Sequence, residues 1–118
     1  MQAAVDRNLV SGAAMDRVLV TGLVDTADVA RVLNTTLRSV QRWSSRAASP
    51  RKGSEDRLLE LTAVLDLAAQ VLPGEDARLW LRTPIADLGW RKPLDVISEG
   101  NFREVIDALE ALSEGVIQ

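Results

Sequence analysis

Apolar residues recur at helical spacing along almost the whole chain. Over 3–19, Val5, Leu9, Ala13 and Val18 keep roughly to one side and Gly22 lies past the end, which predicts a first helix that Gly12 weakens or breaks in its middle. Asp25 stands where a cap belongs for a second helix over 26–33, with Val29, Ala30, Val32 and Leu33 as its apolar set. Asn34 tolerates the left-handed conformation of a tight turn, and Thr35 or Thr36 then caps a third helix over 36–46 with Leu37, Val40 and Trp43 inward. The stretch Arg46–Ser54 has no amphipathic pattern, contains Pro50 and Gly53, and reads as a connection. Ser54 caps a long helix over 55–72, whose Leu58, Leu59, Leu61, Val64, Leu65, Leu67, Ala68, Val71 and Leu72 cover more than one face, as in a central core helix or one that doubles as a dimer surface. Pro73 and Gly74 end it. Short helices over 75–82 and 93–99 flank a turn over 85–92, with Pro84, Pro93 and Gly100 as boundaries. The last helix, 102–113, is capped by Asn101, closed by Gly115, and carries Phe102, Val105, Ile106, Leu109 and Leu112 on one face. No segment alternates as a strand does, so the predicted fold is all-α.

Composition narrows the chemistry. The 118 residues include no His, Cys or Tyr, which removes Ser-His and Cys-His nucleophiles, Cys/His zinc sites, His- or Cys-ligated haem and disulfides. An enzyme built on carboxylates alone is a remote reading, because the acids are scattered along helix starts. Glu55, Asp56 and Glu60 read as a solvated helix start rather than a magnesium cluster, since nothing nearby holds a phosphate. No metal or cofactor is expected. The chain has no run of apolar residues long enough to span a bilayer and no signal-peptide pattern, which points to the cytoplasm and away from a membrane.

The net charge of −3 hides a division. Residues 1–53 hold eight bases and four acids, +4, while 54–118 hold six bases and thirteen acids, −7. Within 29–53 there are six bases and no acid. A basic segment beside an acidic one predicts a polyanion for the first and another kind of partner for the second.

The basic segment coincides with the spacing of a helix-turn-helix over 26–45. Ala30 is the small residue two closely meeting helices need, and Asn34 sits at the turn. The exposed face of the second helix is then Thr36, Arg38, Ser39, Gln41, Arg42 and Arg46, the side-chain types that read base edges and hold phosphates, with Arg51 and Lys52 adding phosphate contacts. Operator DNA is the expected partner. The plainer alternative is a helical hairpin with a solvated basic face.

The back half carries a denser signature: Arg78-Leu-Trp-Leu-Arg-Thr-Pro84, Leu88-Gly89, Arg91-Lys92-Pro93-Leu94-Asp95, Gly100, then Phe102, Val105, Leu109 and Gly115. This resembles the toxin-binding domain of the Xre–MbcA–ParS antitoxin family, and with the front half the likeness extends over about 8–118. The resemblance implies a non-enzymatic antitoxin that blocks the NAD pocket of a RES-domain toxin, dimerises through its C-terminal half and represses its operon. It also implies two regions, a helix-turn-helix over 1–50 and a toxin-binding and dimerisation domain over 51–118. Many members carry Asn shortly after the proline of the tryptophan-helix motif, where this chain has Ile85. The sequence stops three residues after Gly115, so the end of the last helix is the expected plug.

Trp80, between Leu79 and Leu81, reads as core. Trp90 stands in a turn before two bases and suits an interface anchor. The expected toxin contacts are Trp90, Arg91, Lys92, Gly115, Val116, Ile117 and Gln118. Asp95 is expected to serve the first turn of its helix. The competing function is a stand-alone dimeric transcription regulator whose back half only dimerises or senses a small ligand, a sensor showing polar groups converging on a cavity.

Overall fold

The computed structural model describes residues 2–117 of the chain, with side chains over 10–115. Seven α-helices and one short 3-10 turn follow one another, and no strand is present among the described residues: α1 (Gln2–Val20), α2 (Thr26–Val32), α3 (Leu37–Ser44), α4 (Lys52–Val71), α5 (Glu75–Leu81), the turn Ala86–Leu88, α6 (Pro93–Ser98) and α7 (Phe102–Ile117).

The expected boundaries hold where a side chain closes the helix. Asp25 caps α2 in a capping box with Asp28, and Thr36 caps α3 by accepting from the Ser39 amide at 3.1 Å. Three boundaries fall elsewhere. Helix α1 runs unbroken through Gly12. Its inward face includes Ser11, Gly12, Met15 and Val18 while Ala13 is exposed; the side chains of Val5 and Leu9 lie outside the described residues. Helix α4 begins at Lys52 with Arg51 as its N-cap, so Gly53 and Ser54 belong to its first turn. Helix α7 continues past Gly115 to Ile117. In each case the local breaker is a glycine at no positive φ, and a helix only loses about 1 kcal/mol by including it.

One cluster of buried side chains spans the chain. It joins Met15, Val18, Val29, Val32, Val40 and Trp43 to Leu58, Leu61, Leu65, Leu81, Ile97, Val105 and Leu109. The regions 1–50 and 51–118 therefore share a core. Helix α4 is its axis, packed on α1, α5 and α7. Its apolar surface is not wholly covered, because Leu59 stays 51% exposed.

Charge also crosses between the regions. Arg17 reaches Asp66 at 2.6 Å and Arg31 pairs with Asp95. Arg82, at the end of α5, donates to Asp28 at 2.6 Å and to the Leu23 carbonyl at 2.8 Å. Asp28 is the same carboxylate that closes the α2 capping box, so one guanidinium from the back half locks the start of the front helix pair.

Candidate nucleic-acid and partner-binding surfaces

Helices α2 and α3 meet as the sequence predicts. Ala30 is buried at the crossing, and Asn34 takes a φ of +54° while the Thr35 amide donates to the Ala30 carbonyl at 2.9 Å. Val40 and Trp43 point inward; Leu37 does not, remaining 44% exposed at the first turn of α3.

The six expected DNA contacts divide. Arg38, Gln41 and Arg42 lie exposed on α3, and no described residue pairs with their side chains. Thr36 is occupied as a cap, and its hydroxyl also bonds Ser39. Arg46 stands apart from that face. It follows the helix at a φ of +66°, and its guanidinium turns to Asp16 of α1 at 2.9 Å, so it anchors α1 to α3. Its stem crosses Gly12 so closely that a Cβ there would sit 2.6 Å from the Arg46 Cγ. The interior of α1 has its glycine for this reason. Of the six bases within 29–53, Arg31 and Arg46 are tied to acids, and Arg38, Arg42, Arg51 and Lys52 remain exposed.

The second surface is built on the turn between α5 and α6. At Ile85 the backbone closes the turn. The Ile85 amide donates to the Arg91 carbonyl at 3.2 Å, and its carbonyl accepts from Leu88 at 3.0 Å and Trp90 at 2.9 Å. Gly89 and Trp90 both have positive φ, +67° and +63°. Trp90 is thereby held out of the protein, 72% exposed. Arg91 is directed inward instead. Its Nε donates to the Leu88 carbonyl at 2.8 Å, and its terminal nitrogens reach Glu99 and Glu104 at 3.1 Å each. Arg91 thus braces the turn, and Lys92 is exposed beside Trp90.

The same turn walls a groove of about 460 Å³ against α7, lined by Trp80, Ile85, Asp87, Ala108, Ala111, Leu112 and Gly115. Trp80 is half-buried there. Gly115 and the Trp90 turn thus border one concave surface. The side chains of Val116 and Ile117, and all of Gln118, lie outside the described residues. Sequence reasoning passed over Ala108, buried, and Ala111, exposed, whose signal is a pair of small residues three apart on α7. It also passed over Leu79, 56% exposed beside Trp80, because a seven-residue helix is too short for periodicity to assign its faces.

Known proteins match this arrangement. Residues 67–115 fit the Xre/MbcA/ParS antitoxin C-terminal toxin-binding domain. The mycobacterial cidal antitoxin MbcA of Mycobacterium tuberculosis (strain H37Rv) is 35% identical over 89 residues, 75% of this chain and 79% of that one. The probable mycobacterial cidal antitoxin Rv3188 of the same organism is 25% identical over 115 residues, 98% of this chain and 97% of its own length. Among solved structures, a chain of the M. tuberculosis MbcT–MbcA toxin–antitoxin complex superposes with a TM-score of 0.74 at 31% identity, covering 86% of this chain and 95% of that chain.

Proposed function

The chain belongs to the Xre/MbcA/ParS antitoxin family, and from that premise we propose that it is a cytoplasmic type II antitoxin whose back half covers the NAD site of a RES-type toxin and whose front half binds operator DNA and represses its own operon. The observation that carries the first part is Trp90. A large aromatic, 72% exposed at a positive φ, is costly for an isolated protein on two counts, and such strain at a surface turn is characteristic of a binding site. Buried against a partner, it becomes an anchor of the kind that dominates interface energy. Lys92 supplies charge beside it, and the groove behind the turn offers apolar walls ending at Gly115. In this reading the C-terminal residues Gly115, Val116, Ile117 and Gln118 enter the toxin's mouth. That a relative is held in a toxin–antitoxin complex supports a toxin as the occupant. The proposed working unit is a homodimer within a larger complex.

A ligand-sensing regulator is the weaker reading. It calls for polar groups converging on a cavity, and among the described residues Asp87 is the only charged one lining this groove.

The test is co-expression with the adjacent reading frame, co-purification and an assay of NAD consumption. The wild-type chain is expected to co-purify and suppress consumption. Trp90→Ala is expected to weaken the complex roughly 30-fold, the effect of losing an anchor worth about 2 kcal/mol, and deletion of 115–118 to weaken inhibition with the helical fold intact. A complex indifferent to both changes would place the contact elsewhere.

A further inference from the structure

A second groove, of about 330 Å³, lies between the turn of the helix pair and the start of α4. Asn34, Thr35, Ser39, Trp43, Arg51 and Ser54 line it. Every one of these side chains carries a hydrogen-bond donor and none carries a carboxylate. Glu55, the acid in the first turn of α4, is not among the lining residues.

Two features place donors beside this space. The first is α4 itself. Arg51 holds the N-cap position at φ −63°, ψ 160° without a side-chain cap, and the first amide to bond within the helix is that of Glu55, to the Arg51 carbonyl at 2.8 Å. The amides of Lys52, Gly53 and Ser54 have no intrahelical acceptor, at the positive end of a 20-residue helix. The second is Trp43. It is only 8% exposed, it lines the groove, and no described residue accepts a hydrogen bond from its indole N–H. Its nitrogen is not among the buried side-chain atoms that lack a partner, so it stays open to solvent and to an entering acceptor.

We propose that this groove is a seat for a backbone phosphate of duplex DNA, with the α4 amides, the Trp43 indole N–H and the Arg51 guanidinium donating to the phosphodiester oxygens. The inference rests on the DNA-binding reading above and deepens it by separating two tasks. Arg38, Gln41 and Arg42 face outward from α3 toward base edges. Ser39 belongs to the phosphate seat, and Thr36 to the helix cap. Phosphate contacts fix register and give salt dependence without reading sequence, whereas base contacts discriminate.

The test uses the full chain and two fluorescent duplexes, one from immediately upstream of its own reading frame and one of scrambled sequence, each titrated over a range of salt. Arg51→Gln is expected to weaken both duplexes equally, by roughly tenfold, and to reduce the log–log salt slope by about 0.9. Trp43→Phe keeps the ring and removes the donor, and is expected to weaken both roughly fivefold. Arg38→Ala is expected instead to lower the ratio between the duplexes. Because Trp43 is a core residue, the melting temperature of Trp43→Phe is checked, and Arg51→Gln, on the surface, carries the test if that variant does not fold.

A wild-type chain that binds its upstream duplex while Arg51→Gln leaves affinity and slope unchanged overturns the phosphate seat and leaves DNA binding standing. A wild-type chain that binds neither duplex overturns both. If tryptophan emission responds to inorganic phosphate and not to duplex, the groove holds a free anion, and the proposal is wrong.

Discussion

At the scale of single residues, two side chains hold conformations that local chemistry disfavours, and each is explained by what surrounds it. Trp90 sits at a φ of +63° in the open. Trp90→Gly should therefore raise the stability of the free chain by roughly 0.5–1 kcal/mol, read as an increased denaturant midpoint, while weakening the partner complex. A stability loss would mean that the indole packs locally and is no anchor. Arg46, at +66°, is compensated by Asp16 and by close packing on Gly12. In the wild-type background Gly12→Ala should destabilise by about 1–2 kcal/mol despite the better helix propensity of Ala. In an Arg46→Ala background the same change should stabilise by up to about 1 kcal/mol. This reversal of sign, measured in a double-mutant cycle, is the signature of the crossing. The sequence shows Gly12 as a blemish in a helix and Arg46 as one more base on a reading face. The fact joining them is a contact between residues 34 positions apart, which no local pattern encodes.

At the scale of elements, the sequence was most legible where a helix end is set by a side chain. Asp25, Asn34 and Thr36 mark the helix pair because each acts through its own neighbours. It was least legible where a breaker is tolerated because packing outweighs it. Helix α4 begins three residues before 55, and nothing lies within 4 Å of a Cβ added at Gly53. Gly53→Ala should therefore stabilise the chain by roughly 0.5–1 kcal/mol, seen in thermal unfolding. No such gain is expected if that segment were the irregular connection its composition suggests. The apolar width of α4 was read correctly as that of a central helix, yet the pattern does not say that Leu59 would be left half in water. Pro84 and Pro93 bound the turn over 85–92 in the sequence, but the direction of Arg91 follows from Glu99 and Glu104 on later elements.

At the scale of the whole molecule, the +4 and −7 halves are partly an internal matter. Arg17–Asp66, Arg31–Asp95 and Arg82–Asp28 use charge to join the two regions. Arg82 and Asp28 are the more enclosed pair, so Arg82→Ala should cost about 1–3 kcal/mol, against less than about 1 kcal/mol for Arg17→Ala on the exposed rim. Equal effects in chemical unfolding would deny Arg82 its place as a lock. A fragment of residues 1–50 should show no cooperative melt, since Met15, Val32 and Val40 belong to a core completed by α4 to α7. The intact chain should unfold in one step, with helical circular dichroism and tryptophan emission coinciding. That shared core has a consequence for the lifetime of the chain in a cell. A ligand at either end stabilises the entire fold by mass action, and degradation through the unfolded state slows in proportion. A ligand bound at α3 would thus protect the turn that carries Trp90 from proteases, and a partner bound at that turn would protect the helix pair. Once both are released, a single opening event exposes the whole chain, so neither surface outlives the other.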